Sequence, residues 1–193
     1  MSDITVFKQM IKVTATVQLE NYQGKKNVIL KEPPPADYSV TIHGMPDDDQ
    51  TIVIKADAFT APKKIFANIK HECKRADFII VVDTDRRKVI IYIEMKAGGG
   101  GSETEIIQQL KGAQCFVAYC REIGQSFWNH QNFLKDYVHR FVSIRNISIP
   151  KRPTRPSSRT DIHDHPDRML KITSHKGLQF NHLVGKKDSQ HSC

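Results

Sequence analysis

Three side chains near the middle of the chain have the types and spacing for phosphate chemistry. Asp77 opens one apolar run, and Glu94 and Lys96 close the next. Two carboxylates and a lysine fixed on adjacent strands can hold a divalent metal and activate water beside a phosphate. The leading expectation is therefore a metal-dependent nuclease.

That chemistry requires the two runs to pair in one register. Residues 77–83 and 88–94 are β-branched and aromatic, and flank the polar loop 84–87, the pattern of an antiparallel hairpin. Pairing Asp83 with Lys88 sets Asp77 directly opposite Glu94, with Cβ atoms about 5 Å apart. Lys96, two residues on, returns to the same face. A slip of one residue would move one strand's set to the other face. Ile79, Val81, Ile90 and Tyr92 fall on one face, and Phe78, Ile80, Val82, Ile91 and Ile93 on the other. A hairpin apolar on both faces is central and covered on both sides. Charges at its end are costly to bury unless paired or metal-bound. The competing reading is a plain Lys96 salt bridge to Glu94 or Asp77 at a sheet edge, and the alignment of Asp77 with Glu94 favours a site.

A glycine run, residues 98–101, follows, and then Ser102 and Glu105 spaced as a capping box. Ile106, Leu110, Ala113, Val117 and Cys120 recur at helical spacing. Gln109 sits in the first turns of this helix, close to where the chain leaves the Glu94/Lys96 strand. Gln114 is the alternative glutamine, and Gln108 reads as a solvated residue.

Arg75-Ala76-Asp77, then Ile93-Glu94-Met95-Lys96, then Ile107-Gln108-Gln109-Leu110 resembles the PD-(D/E)xK, or restriction-endonuclease-like, nuclease superfamily. The match is to small members with a D…ExK hairpin and a following Gln-Leu helix, and covers residues 66–122, roughly a third of the chain. Ala76 stands where the family's proline precedes the aspartate. Many members carry a further glutamate upstream, and Glu20, Glu32 and Glu72 are the candidates here. The resemblance implies an α/β fold, a restriction-endonuclease-like core with a central mixed sheet flanked by helices. It also implies a Mg²⁺-dependent (or Mn²⁺-dependent) endonuclease, DNA favoured, with a place in bacterial antiphage defence or restriction, and a larger sensor or ATPase as a conceivable partner. Asp77, Glu94 and the Met95 carbonyl would hold the metal. Lys96 would orient water or stabilise the pentavalent phosphate, staying an ammonium unless burial depresses its pKa. Gln109 would position Lys96 or the DNA backbone. Two alternatives from other classes are an inactive nuclease-fold protein that binds nucleic acid or a partner, and a basic interaction module in which the triad is a salt bridge.

Composition agrees with a polyanionic partner. The 193 residues suffice for one α/β domain. A net charge of +8 favours nucleic acid. The basic residues cluster at 25–26, 63–64, 70–75, 86–88 and 151–159. Lys70, Lys74 and Arg75, just before Asp77, are the expected phosphate contacts. Four cysteines at zinc-free spacings read as free thiols. With no signal segment or transmembrane-length run, a cytoplasmic protein is expected. Double-strand cleavage would be simplest for a homodimer, with the N-terminal third as its interface.

The rest of the chain is expected to form one domain. Residues 1–60 read as a β-rich layer with strands at 13–19, 27–31, 38–43 and 51–55, preceded by a short helix or a lead-in at 5–12. Residues 61–149 read as the catalytic core, with short helices at 61–71 and 132–137 and a strand at 140–149. Asp47-Asp48-Asp49 reads as a solvated turn. Residues 150–167 read as a mobile proline-rich, basic loop, in which His163 and His165 are not taken as metal ligands. Residues 168–193 read as a terminal hairpin and tail.

Overall fold

In the computed structural model, residues 1–34, 36–98, 101–145, 162–173 and 175–185 are described. Helix α1 (Asp3–Met10) is followed by strands β1 (Thr16–Val17), β2 (Leu19–Tyr22), β3 (Lys25–Lys31), β4 (Ser39–Met45) and β5 (Thr51–Lys55). The central hairpin is β6 (Phe78–Thr84) and β7 (Arg87–Met95), and helix α2 (Glu103–Phe127) leads to β8 (Val138–Ile144). Strands β9 (Leu170–Ile172) and β10 (Leu178–Gln179) and helix α3 (Phe180–Val184) complete the described chain.

The result is an α/β structure with two mixed sheets. One has six strands in the order β1-β5-β6-β7-β8-β9, and the other has four in the order β10-β4-β3-β2. Within the larger sheet β5, β6 and β7 are antiparallel neighbours, while β8 and β9 continue it in parallel. Helix α2 makes the long connection that a parallel β7–β8 pair requires. The expected register holds: Asp83 pairs with Lys88 and Phe78 with Ile93.

The two apolar faces of the hairpin feed two separate cores. Ile79, Val81, Ile90 and Tyr92 pack with Phe7 of α1 and with Ile106, Leu110 and Val117 of α2. Phe78, Ile80, Val82, Ile91 and Ile93 pack against Val28, Leu30, Val40 and Ile42 of the second sheet. Strand alternation alone produces this division. Helices α1 and α2 cover the first face. The second is covered mainly by another sheet rather than by helices, which departs from the expected flanking.

Helix α2 starts where its cap predicts. Ser102 Oγ accepts from the Glu105 backbone N–H at 3.1 Å. The Glu105 carboxylate does not close the box but pairs with Lys74 at 2.8 Å. Two glycines let the helix approach its neighbours. A Cβ on Gly112 would stand 1.8 Å from the Lys74 carbonyl oxygen, and one on Gly124 would stand 2.2 Å from the Phe133 ring.

Several expectations are corrected. The single strand expected at 13–19 is a turn of 3₁₀ helix and two short strands on different sheets. The N-terminal third is not one layer, because β1 and β5 join the central sheet while β2–β4 build the other. Residues 61–71 form turns rather than a helix, and Asn68 and His71 take left-handed φ values of 60° and 61°. Residues 132–137 are turns as well, with Leu134 and Asp136 left-handed. The terminal hairpin is absent: β9 pairs with β8, whereas β10 pairs with β4 in the other sheet. Most of the proline-rich loop, its basic run at 151–159, Gly99, Gly100 and Cys193 lie outside the described residues. Cys73, Cys115 and Cys120 are free thiols, and no described helix is long and apolar enough to cross a membrane.

Candidate active site

The end of the hairpin remote from its turn gathers the expected residues. The Ala56 N–H bonds the Asp77 carbonyl at 2.8 Å, and the Lys96 N–H bonds the Ile144 carbonyl at 2.8 Å. These bonds anchor Asp77 beside the end of β5 and Lys96 to β8, and the β6–β7 register carried one pair beyond Phe78–Ile93 sets Asp77 against Glu94. The backbone N–H of Met95 donates to Asp77 Oδ2 at 2.6 Å, locking this carboxylate across the hairpin.

Glu94 is wholly buried. Lys96 Nζ lies 2.6 Å from Glu94 Oε1. Neither Glu94 oxygen makes a hydrogen bond of standard geometry with a described residue, and the Lys96 ammonium and the Gln109 side chain are the groups that favour its charged form. Gln109 reaches Glu94 from the second turn of α2 and stabilises its charge, while the buried Gln109 Oε1 has no hydrogen-bond partner among the described residues. Such a cluster is uncommon in a packed interior, where nearly all buried polar atoms are paired.

Burial pushes the carboxyls of Asp77 and Glu94 above their ordinary range, and the negative charge of Glu94 raises Asp77 further. Glu32 raises both, against the lowering influence of Lys96 on each, of the Met95 N–H on Asp77 and of Gln109 on Glu94. For Lys96, burial acts downward, but Glu94, Asp77 and Glu105 outweigh it and hold the amine above its usual value. Lys96 is thus a fixed cation, as its expected electrostatic role requires.

The three candidate upstream acids differ in their reach to the site. Of Glu20, Glu32 and Glu72, it is Glu32, just past β3, whose charge reaches Asp77, Glu94 and Lys96. Burial and Asp57 raise its own carboxyl. Glu20 is exposed on β2, and Glu72 is turned into its own loop, accepting from the Lys70 N–H at 2.9 Å. Tyr38 is a site residue that sequence reasoning missed. Its hydroxyl donates to the Met95 carbonyl at 3.2 Å, and burial with three nearby carboxylates keeps the phenol protonated. The only local signal was the proline run that begins at Pro33; the Glu32 N–H bonds the Tyr38 carbonyl at 3.0 Å and brings Tyr38 back alongside Glu32.

The expected phosphate contacts divide. Lys70 is exposed. Lys74 is committed to Glu105. Arg75 lies over the Phe59 ring at 5.1 Å and donates to the backbone carbonyls of Glu72 and Lys74, so it braces its own loop against Phe59. Gln108 is half-buried, and so is Gln114, which occupies a later turn than Gln109. His163 is buried, with Nε2 2.7 Å from the Leu183 carbonyl oxygen, a structural role in keeping with its rejection as a ligand.

Among the described residues, no group of three or more His, Cys, Asp or Glu side chains is arranged to hold a metal ion. Two carboxylates and a backbone carbonyl nevertheless form an all-oxygen donor set of the kind Mg²⁺ uses, since that ion keeps several waters and takes one or two carboxylates. The chain matches no family among those compared, no curated protein and no solved structure.

Proposed function

We propose that this chain is a metal-dependent nuclease with a restriction-endonuclease-like core, hydrolysing phosphodiester bonds, with DNA the favoured substrate. One observation carries the reading: a fully buried glutamate that meets the Lys96 ammonium at 2.6 Å, set beside a second carboxyl, Asp77, that is itself raised by burial. Burying a carboxylate costs several kcal/mol even after relaxation, and hydrophobic residues of similar size would stabilise this sheet end better. A structural ion pair does not call for the second carboxyl. The order hairpin, α2, then parallel β8 supports the family resemblance, as does the position of Gln109.

In this reading Asp77, Glu94 and the Met95 carbonyl would hold Mg²⁺ or Mn²⁺. Such an ion supplies Lewis-acid polarisation of the phosphate and a lowered pKa for the attacking water. Asp77 is oriented by the Met95 N–H, and Tyr38 steadies the Met95 carbonyl from the second sheet. Lys96 places a permanent positive charge where the phosphate becomes more anionic. Gln109 holds Glu94 and Lys96 in relation to α2. The surplus of positive charge favours a polyanion over other phosphodiesters.

The test is incubation with plasmid, linear and single-stranded substrates in Mg²⁺, Mn²⁺ or EDTA, with calorimetric titration of Mg²⁺ alongside. Cleavage that needs the metal, with Mg²⁺ binding weakened by Glu94→Ala, is the expected result. Identical cleavage in EDTA, or none with any substrate, would exclude the mechanism.

A further inference from the structure

The segment 61–75 runs directly into Asp77 and has a composition that the site itself does not use. It carries five basic residues, Lys63, Lys64, Lys70, Lys74 and Arg75, against one acid, Glu72. It is ordered by polar contacts rather than by apolar burial. The Phe66 N–H bonds the Pro62 carbonyl at 3.0 Å, the Cys73 N–H bonds Asn68 Oδ1 at 3.1 Å, and the Lys74 N–H bonds the His71 carbonyl at 3.0 Å. Left-handed Asn68 and His71 shape the turns between them.

The large apolar side chains of this loop point outward. Ile65 is 82% exposed, Phe66 52% and Ile69 78%. Three such residues within five positions are unlike singly scattered surface apolar groups, and a concentrated patch marks an interaction site. Lys63, Lys64 and Lys70 are exposed around them, and none forms an ion pair with a described residue. Apolar groups and unpaired cations together fit a partner that offers phosphates and flat apolar faces. The patch is also beside the site, because Lys74 of this loop binds Glu105, whose charge acts on Lys96.

We infer that residues 61–75 grip a nucleic-acid strand, with Lys63, Lys64 and Lys70 on its phosphates and Phe66 stacked on an unpaired base between Ile65 and Ile69. This rests on the nuclease reading for its purpose, but its binding can be measured separately. Phosphate contacts act on any polyanion, whereas aromatic stacking needs a base face that a duplex conceals. Single-stranded nucleic acid is therefore the preferred occupant.

Fluorescence anisotropy in EDTA, where no metal-dependent cleavage occurs, tests this with the full chain, a labelled oligothymidylate and a duplex of equal length. The wild type should bind the single strand more tightly. Phe66→Ala should weaken single-strand binding about tenfold and leave duplex binding unchanged, with the melting temperature preserved because the side chain is half exposed. Lys63→Glu/Lys64→Glu/Lys70→Glu should weaken both and flatten the salt dependence. The inference is overturned if neither oligonucleotide binds or if Phe66→Ala binds the single strand normally. It is equally overturned if the wild type prefers phosphatidylcholine–phosphatidylserine vesicles to oligonucleotides, which would make the patch a membrane contact. Failure of Mg²⁺-dependent cleavage with this binding pattern intact would remove the nuclease reading alone.

Discussion

The two ends of the β6–β7 hairpin carry the same kind of charge pair in opposite surroundings. At the turn end, Asp83 and Lys88 are direct cross-strand partners 3.4 Å apart, and the Lys88 side chain is 44% exposed. At the other end, Lys96 meets a Glu94 with no exposed surface at 2.6 Å, and Asp77 stands opposite. Water reaches the first pair through Lys88, although the Asp83 side chain is only 16% exposed, so its cost and its contribution are both smaller than those of a buried pair. The second pair is desolvated, and its attraction must offset a penalty that grows with each buried charge. One strand pairing thus supports an ordinary surface bridge and an arrangement that folding alone would not favour. The proposed nuclease reading ascribes the burial at the Glu94 end to chemistry.

Substituting at both ends is the most forceful way to break this comparison. Lys96→Ala and Glu94→Ala should each lower the Mg²⁺-dependent cleavage rate by at least about a hundredfold, while Asp83→Ala and Lys88→Ala leave it unchanged. The first two should also differ in kind: calorimetry should find Mg²⁺ affinity weakened by Glu94→Ala and largely kept by Lys96→Ala. Full activity in a folded Lys96→Ala protein would refute the assignment. Gln109→Ala should have a smaller effect, about tenfold on rate, because it acts through Glu94 rather than on the phosphate.

Stability against pH sharpens the contrast. Asp77 and Glu94 have carboxyls raised by burial in the folded chain. The folded state therefore retains protons that the unfolded chain has released, so its stability falls as pH rises from the ordinary carboxyl value of about 4 towards the raised folded values. In metal-free buffer the melting temperature should decline between about pH 5 and about pH 8. Asp77→Asn should flatten that decline, and added Mg²⁺ should oppose it by binding the ionised form. A wild-type melting curve independent of pH in EDTA would show that the pair is not held in this state.

What the sequence revealed about this site followed from local rules. Hairpin register comes from loop length and alternation within twenty residues, and so Asp77, Glu94 and Lys96 could be aligned from the chain alone. The Ser102 cap and the stripe through Cys120 gave helix α2 and the approximate place of Gln109. Glu32 could be named only as one of three candidates and Tyr38 not at all, because they flank strands of a second sheet whose packing over Met95 is a long-range event. The chain end failed for a similar reason: β9 and β10 are adjacent in sequence but satisfy their hydrogen bonds on two different sheets. Residues 61–71 read as a short helix, but Asn68 and His71 adopt left-handed φ, and side-chain contacts from Asn68 and Glu72 replace helical bonding. The basic cluster before Asp77 also misled in part, since Arg75 and Lys74 hold the loop to its neighbours instead of facing outward.

The smallest expected effect tests the solvated end on its own. A double-mutant cycle of Asp83→Ala and Lys88→Ala, read by denaturant unfolding, should give a coupling of about 0–1 kcal/mol that shrinks in high salt. Lys88→Ala should cost slightly more than Asp83→Ala, because the Lys88 ammonium also sits 5.3 Å from the centre of the Tyr137 ring, a contact worth about 0.5–1 kcal/mol at an exposed site. The cycle removes that contribution, since it is lost whether or not Asp83 is present. The matching cycle on Glu94 and Lys96 should give a larger coupling that salt barely changes, because removing Lys96 leaves a carboxylate inside the sheet with no cation beside it. A coupling at Asp83–Lys88 as large and as salt-insensitive as that at Glu94–Lys96 would erase the distinction between the two ends. Burial at Glu94 would then carry no functional meaning.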